Sequence, residues 1–123
     1  MRRLLTLTAI IEVPTGLAFL CCPPATLALL LGPGLDAFAA VALGRVAGVA
    51  LVALGVACWL AQYDAQSCAA RGLVSAMALY DFGVVVIFAT AIGSHPSGVA
   101  FWPAIILHGT MAVWCIASLL RKT

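Results

Sequence analysis

The chain has 123 residues, of which 65% are hydrophobic and 8% are charged, and its mean hydropathy is +1.20. Soluble domains carry about 25% charged residues, so this composition excludes an ordinary soluble protein and indicates a protein embedded in lipid. The formal net charge is +2, which is too small to indicate a nucleic-acid partner.

Four apolar runs follow one another along the chain with short connections. They cover about residues 4–22, 36–61, 70–93 and 99–120. A helix needs about 20 residues to cross a bilayer core of about 30 Å, so each run is long enough to span it. The sequence therefore predicts an all-α polytopic membrane protein, a four-helix bundle that forms one membrane domain over residues 1–123.

The ends of the first run raise two questions about its boundaries. "MRRLLTLTAI" has the basic start of a signal peptide, but Glu12 and Pro14 interrupt the apolar region, so we expect a retained helix.

After "CCPP", Pro24 suits a helix start, and "PATLALLLG" is too short to cross the membrane. We predict a short interfacial helix between spans one and two; an irregular loop on the bundle is the alternative.

Lysine and arginine residues near the span ends predict the orientation. The two connections 23–36 and 94–98 contain neither residue type, and we expect residues 30 and 95 to lie outside the cell. We expect both termini and residue 68 to be cytoplasmic, which suits a bacterial inner membrane. The bases that flank the spans all fall on this side: Arg2, Arg3, Arg71, Arg121 and Lys122.

Span two contains a pair of glycines, Gly44 and Gly48, four residues apart. Small residues at this spacing let another helix backbone approach closely. The pair would serve either packing within the chain, which we favour, or contact with a second copy or another membrane protein.

Each span places one ionisable residue near the middle of the membrane. Glu12, Asp81 and His108 each lie within about 3 Å of the midpoint of their span along the helix axis, and Arg45 lies about 6 Å outward of its own. A charge at the bilayer centre costs about 2.5–3.5 kcal/mol, so these residues should face inward and find partners. We predict a buried polar layer of these four residues.

Three neighbouring residues support this layer. Thr8 and Thr15 lie one turn either side of Glu12, and Tyr80 directly precedes Asp81. Small or polar companions mark the helix faces that pack together in membranes.

Arg45 is the one base of the layer that is always charged, and its planar fork suits a carboxylate. Consecutive helices usually pack together, so we predict that Arg45 pairs with Asp81 rather than with Glu12. Glu12 would then be free to exchange a proton near neutral pH, with His108 as its relay. The layer is either a structural clamp or a working site.

Four segments resemble a group of small, uncharacterised bacterial inner-membrane proteins of four helices. They are "EVPTGLA", "GRVAGVALVALGVACW", "ARGL" with the following "AM" and "LYD", and "WPA" with the following "LH". The resemblance implies a topology and no activity. Where such proteins more often have Tyr-Asn, this chain has Tyr80-Asp81.

A shorter stretch, "AIIEVPTGLAFL", resembles the first helix of small multidrug resistance transporters. The resemblance transfers one residue, Glu12, as a shared site for protons and cations. The glycine- and tryptophan-bearing motif of that family's third helix has no counterpart here, and Arg45 in the layer would repel a cationic substrate.

Redox and metal chemistry are weaker alternatives. Cys21 and Cys22 are adjacent, a spacing that strains a disulfide, and single buried cysteines usually fill space. His108, Met111 and Cys115 share one helix face whose soft ligands would suit Cu(I), but such spacing is more often simply core. A haem held by two histidines is a weaker hypothesis still, because the second histidine, His95, lies in the outer connection. We predict no catalytic residue, cofactor or metal.

The sequence thus predicts a small integral membrane protein, accessory or structural in role, with a buried polar layer. The alternative is a small proton-linked transporter or a membrane protein that binds a ligand.

Overall fold

A computed structural model describes residues 1–93 and 97–121 of the chain, and within them all regular structure is helical. The predicted all-α bundle is confirmed, and its four long helices have the length and apolar composition of membrane spans. The protein is therefore an integral membrane protein. The helices are α1 (Arg2–Cys21), α2 (Pro23–Leu31), α3 (Phe38–Ala61), α4 (Cys68–Ala91) and α5 (Phe101–Leu120), with a 3-10 turn at Gln62–Asp64.

The segment after "CCPP" is the short helix α2, so the alternative of an irregular loop is wrong. Pro23 and Pro24 occupy its first turn, where a missing N–H costs nothing. Thr26 donates a hydrogen bond from Oγ1 to the carbonyl oxygen of Ala18 at 3.0 Å, which ties α2 to the end of α1. Gly32 ends the helix with φ 96°, in the left-handed region that glycine readily adopts.

Close contact between α1 and α3 dominates the first half of the chain. A Cβ atom placed on Gly16 would lie 2.7 Å from the carbonyl oxygen of Gly48 and 2.8 Å from the backbone nitrogen of Val52. A Cβ atom on Gly55 would lie 2.6 Å from Cγ2 of Val13. The two helices therefore meet backbone to backbone through glycine.

The glycine pair of span two is used within the chain. Gly44 faces Pro23 and Leu27 of α2, and Gly48 faces Gly16. Both are buried. This is the packing within the chain that we favoured for the pair.

The second half of the chain forms its own pair, because α4 packs along α5. Contacts between α3 and α4 are sparse although the two helices are consecutive. Ser67 caps α4 by accepting a hydrogen bond from the backbone N–H of Ala70 at 3.1 Å. The bundle is thus two helix pairs, α1 with α3 and α4 with α5.

The tightest core joins the two pairs at the end of the bundle that carries the N-terminus. All long helices contribute to it, and at that same end Thr6 donates a hydrogen bond to Oε1 of Gln62 at 2.6 Å. The buried members of this core are Leu4, Leu5, Ala9, Cys58, Ala70, Val74, Met77, Met111 and Cys115. At the opposite end, α2 is joined to the start of α5 by a hydrogen bond from the backbone N–H of Ala100 to the carbonyl oxygen of Leu29 at 2.8 Å.

The glycine contact leads to a stability prediction. Gly48→Ala should destabilise the protein by about 1–3 kcal/mol, because the new methyl group meets the backbone oxygen of Gly16 at 2.8 Å and backbone cannot move aside cheaply. Thermal unfolding in a mild detergent measures the effect. Gly83→Ala is the matched control, since nothing lies within 4 Å of a Cβ atom there. Equal melting temperatures for the two variants would contradict the close contact.

Candidate functional site

A cavity of about 680 Å³ separates the two helix pairs. Its walls come from all five helices and are mostly apolar, and its polar lining includes Glu12, Asp81 and His108. Met77 and Met111 belong both to its lining and to the tight core. The cavity therefore begins where that core ends and extends toward α2, whose Leu29 and Leu30 line its far side.

The acid of α4 pairs with the histidine of α5. The Nδ1 atom of His108 lies 2.7 Å from Oδ1 of Asp81. An ionised carboxylate can only accept, so the ring N–H donates to it. The side chain of Asp81 is 3% exposed and that of His108 is 18% exposed. The contact joins two neighbouring helices and leaves Oδ2 of Asp81 buried without a hydrogen-bond partner among the described residues.

Glu12 lies across the cavity on α1. The residue is 6% exposed and lines the cavity. No hydrogen bond or ion pair joins its carboxyl group to another side chain within residues 1–93 and 97–121. Glu12 is thus a nearly buried acid that faces open space, which differs from the paired state of Asp81.

The prediction that Arg45 pairs with Asp81 is wrong. Arg45 is exposed on α3, and Asp81 is paired with His108 instead. Ala47 and Ala50 line the cavity, and at about 100° per residue Arg45 points about 140–160° away from them around the helix. Because α3 packs on α1 rather than on α4, Arg45 does not join the buried layer.

The three supporting residues, Thr8, Thr15 and Tyr80, differ in their burial and in their contacts. Thr8 is buried and lines the cavity beside Glu12. Thr15 also lines it but is exposed, and its hydroxyl donates to the carbonyl oxygen of Ile11 at 2.8 Å. The ring of Tyr80 meets the ring of His108 edge-on, with centroids 5.6 Å apart. Tyr80 therefore limits the movement of the histidine.

Cysteines and metal ligands are not gathered at this cavity. Cys21 and Cys22 are free and exposed, and Cys58 and Cys115 are buried in the tight core. No cluster of three or more His, Cys, Asp or Glu side chains suited to a metal occurs in the described part of the chain. His95, considered above as a haem ligand, lies outside the described residues.

Sequence reasoning did not predict the cavity itself. The signal that could have indicated it is the set of small residues at the same depth as the acids. Ala47, Ala50 and Ala104 face the cavity, and alanine at such positions leaves volume that a larger side chain would fill. In a chain this rich in alanine, that signal does not stand out.

Comparisons with protein-family models, with curated proteins and with solved structures give no match to this chain. The function must therefore be argued from the cavity and from the side chains that line it.

The Asp81–His108 contact leads to a second stability prediction. His108→Phe should lower the free energy of unfolding by about 3 kcal/mol, because it strands a buried carboxylate. Adding Asp81→Leu should restore part of that loss, since no charge then remains without a partner. Thermal unfolding of both single variants and the double variant measures the coupling.

Arg45→Met provides the control for this comparison of single and double variants. Because Arg45 is exposed and apart from the pair, its effect should add to that of Asp81→Leu within about 0.5 kcal/mol. Strong coupling of Asp81 to Arg45 but not to His108 would contradict the pairing.

Proposed function

We propose that the protein binds a small lipophilic ligand in the cavity between its two helix pairs. One observation carries this proposal: a nearly buried carboxyl group, that of Glu12, faces an apolar cavity and lacks a partner among the described side chains. A cavity of about 680 Å³ is within the range of about 300–1,000 Å³ that holds small-molecule ligands.

The chemistry of the lining suits this role. Ligand sites are mostly apolar, with a few polar groups that orient the bound molecule. Here Leu51, Leu54 and Phe88 are among the apolar wall residues, and the acids and the histidine are the polar groups. When the cavity is empty, Glu12 would take up a proton and become neutral, and it would release that proton when the ligand binds. This is the proton-linked form of the proposal.

An accessory or structural role is the second candidate. The Asp81–His108 contact favours it, because that contact joins α4 to α5 much as a structural clamp would. A clamp does not need the open space beside Glu12, however. The two candidates therefore differ in whether filling the cavity removes a bound molecule.

The proposed location is the bacterial inner membrane, with both termini in the cytoplasm. It rests on the arginines near the N-terminal end of the bundle: Arg2 and Arg3 begin α1, and Arg71 donates a hydrogen bond from Nη2 to the carbonyl oxygen of Leu119. Lys122 and residue 95 also entered the sequence prediction but lie outside the described residues. In this orientation the cavity occupies the outer half of the membrane.

The orientation predicts a pattern of chemical labelling. Cys68 is exposed at one end of the bundle, and Asp36 is exposed at the other. An impermeant maleimide applied to intact cells should label Asp36→Cys and leave Cys68 unlabelled, each tested as the single cysteine. Labelling after cell lysis is the control for reactivity. The reverse pattern in intact cells would contradict the orientation.

The cavity predicts a difference between two tryptophan variants of one helix. Ala50 lines the cavity and Ala53 does not, although both are exposed on α3. Ala50→Trp should lose a small molecule that co-purifies with the wild-type protein in mild detergent, because the indole fills its space. Ala53→Trp should keep it.

Native mass spectrometry of the three proteins, followed by extraction into organic solvent, measures this occupancy. Equal occupancy of Ala50→Trp and the wild type would contradict the proposal. So would a wild-type protein from which nothing but bulk lipid and detergent is extracted.

A further inference from the structure

The two acids that line the cavity have carboxyl oxygens without partners among the described side chains, and the oxygens of an ionised carboxylate accept hydrogen bonds. The carboxyl group of Glu12 makes no contact with a donor among the described side chains. In the acid of α4, Oδ1 is held by His108, and Oδ2 is buried without a partner. Both residues are more than nine-tenths buried, with exposures of 6% for Glu12 and 2% for Asp81.

His108 adds a further hydrogen-bond acceptor to the cavity. Since Nδ1 of His108 carries the proton that is donated to Asp81, Nε2 of a neutral ring has a lone pair and accepts as well. The arginine that could have supplied donors, Arg45, is exposed elsewhere on α3. A buried acceptor without a donor costs free energy, so the cavity favours a ligand that brings one.

We propose that the ligand has an apolar body and a head group, a hydroxyl or an amine, that donates a hydrogen bond to the carboxyl group of Glu12. This inference rests on the proposed function, because it specifies what the cavity binds. The head would meet Glu12 of α1 and face the Asp81–His108 contact of the other helix pair. The apolar body would extend toward α2, along Phe19 and Phe88.

The same chemistry disfavours two classes of ligand. An anion would meet the acids of the cavity, with no arginine or lysine among the described residues of the lining to compensate it. A molecule whose head only accepts would leave the two carboxyl groups as they are. Such a head could accept only from lining hydroxyls such as those of Thr8 and Tyr80, so its affinity would come mainly from the apolar body.

Four naphthalene probes of similar size separate these classes. They are 2-naphthol and 2-naphthylmethylamine, whose heads donate, 2-methoxynaphthalene, whose head only accepts, and 2-naphthoate, which is an anion. Equilibrium dialysis against protein in lipid nanodiscs measures the binding of each. Uptake by discs that contain Ala50→Trp is subtracted, because it reports partition into lipid rather than binding in the cavity.

We expect both donating probes to bind at least about tenfold more tightly than the ether, which is the effect of one hydrogen bond to a charged group. Naphthoate should not bind above the background. Glu12→Met removes the acceptor of α1 and should reduce the preference for donors to less than about threefold, with little change for the ether. Leu17→Met is the matched control, since it places the same side chain on the same helix but outside the cavity lining and should keep the preference.

The outcomes separate this inference from the proposed function. Equal binding of the ether and the donating probes, lost in Ala50→Trp, would overturn the inference and leave the cavity as a binding site. Tightest binding of naphthoate would also overturn the inference alone. Absence of cavity-specific binding for all four probes would overturn both. A donor preference that Glu12→Met and Leu17→Met leave equally intact would overturn the assignment of the head group to Glu12.

Discussion

The backbone contact between α1 and α3 determines where the other helices can lie. Gly16 and Gly48 bring the two helix backbones too close for any side chain between them. Glycine at such a contact allows many short-range dispersion contacts, which drive helix association in lipid where the hydrophobic effect between helices is absent. With one face of α3 held against α1, α4 takes α5 as its partner. The cavity is the space that remains between the two pairs.

Much of the fold could be predicted from composition and run length alone. Four long apolar runs specify four spans because the membrane thickness sets the helix length. The prolines after Cys22 also predicted where α2 starts. The pairing of the helices could not be predicted in this way, since it depends on which face of each helix meets which neighbour. The rule that consecutive helices pack together suggested α3 with α4, and the glycines of α3 overrode it.

For the candidate site, too, the sequence predicted one property of each residue and not another: its depth in the membrane but not the direction in which it points around the helix. Counting residues along each span placed Glu12, Asp81 and His108 at one depth, and all three line the cavity. Depth along the axis follows from the rise per residue, which is nearly constant. Direction around the axis does not, and it excluded Arg45, whose depth was acceptable but whose side of α3 faces away. The partner of Asp81 was therefore its neighbour on α5, a contact that only the helix pairing specifies.

The end of the bundle that contains the cavity is relevant to the role of its acidic residues. Protein interiors are usually filled to crystal-like density, and an empty apolar space forfeits dispersion contacts. The tight core around Cys58 and Cys115 shows that this chain can fill the space between its helix pairs at one end. At the other end it has Ala47, Ala50 and Ala104, where leucine would fill part of the gap. A chain that needed its acids only to hold helices together would gain from filling it. The combination of unfilled volume with a nearly buried acid, Glu12, that faces it is the arrangement that the proposed ligand binding requires.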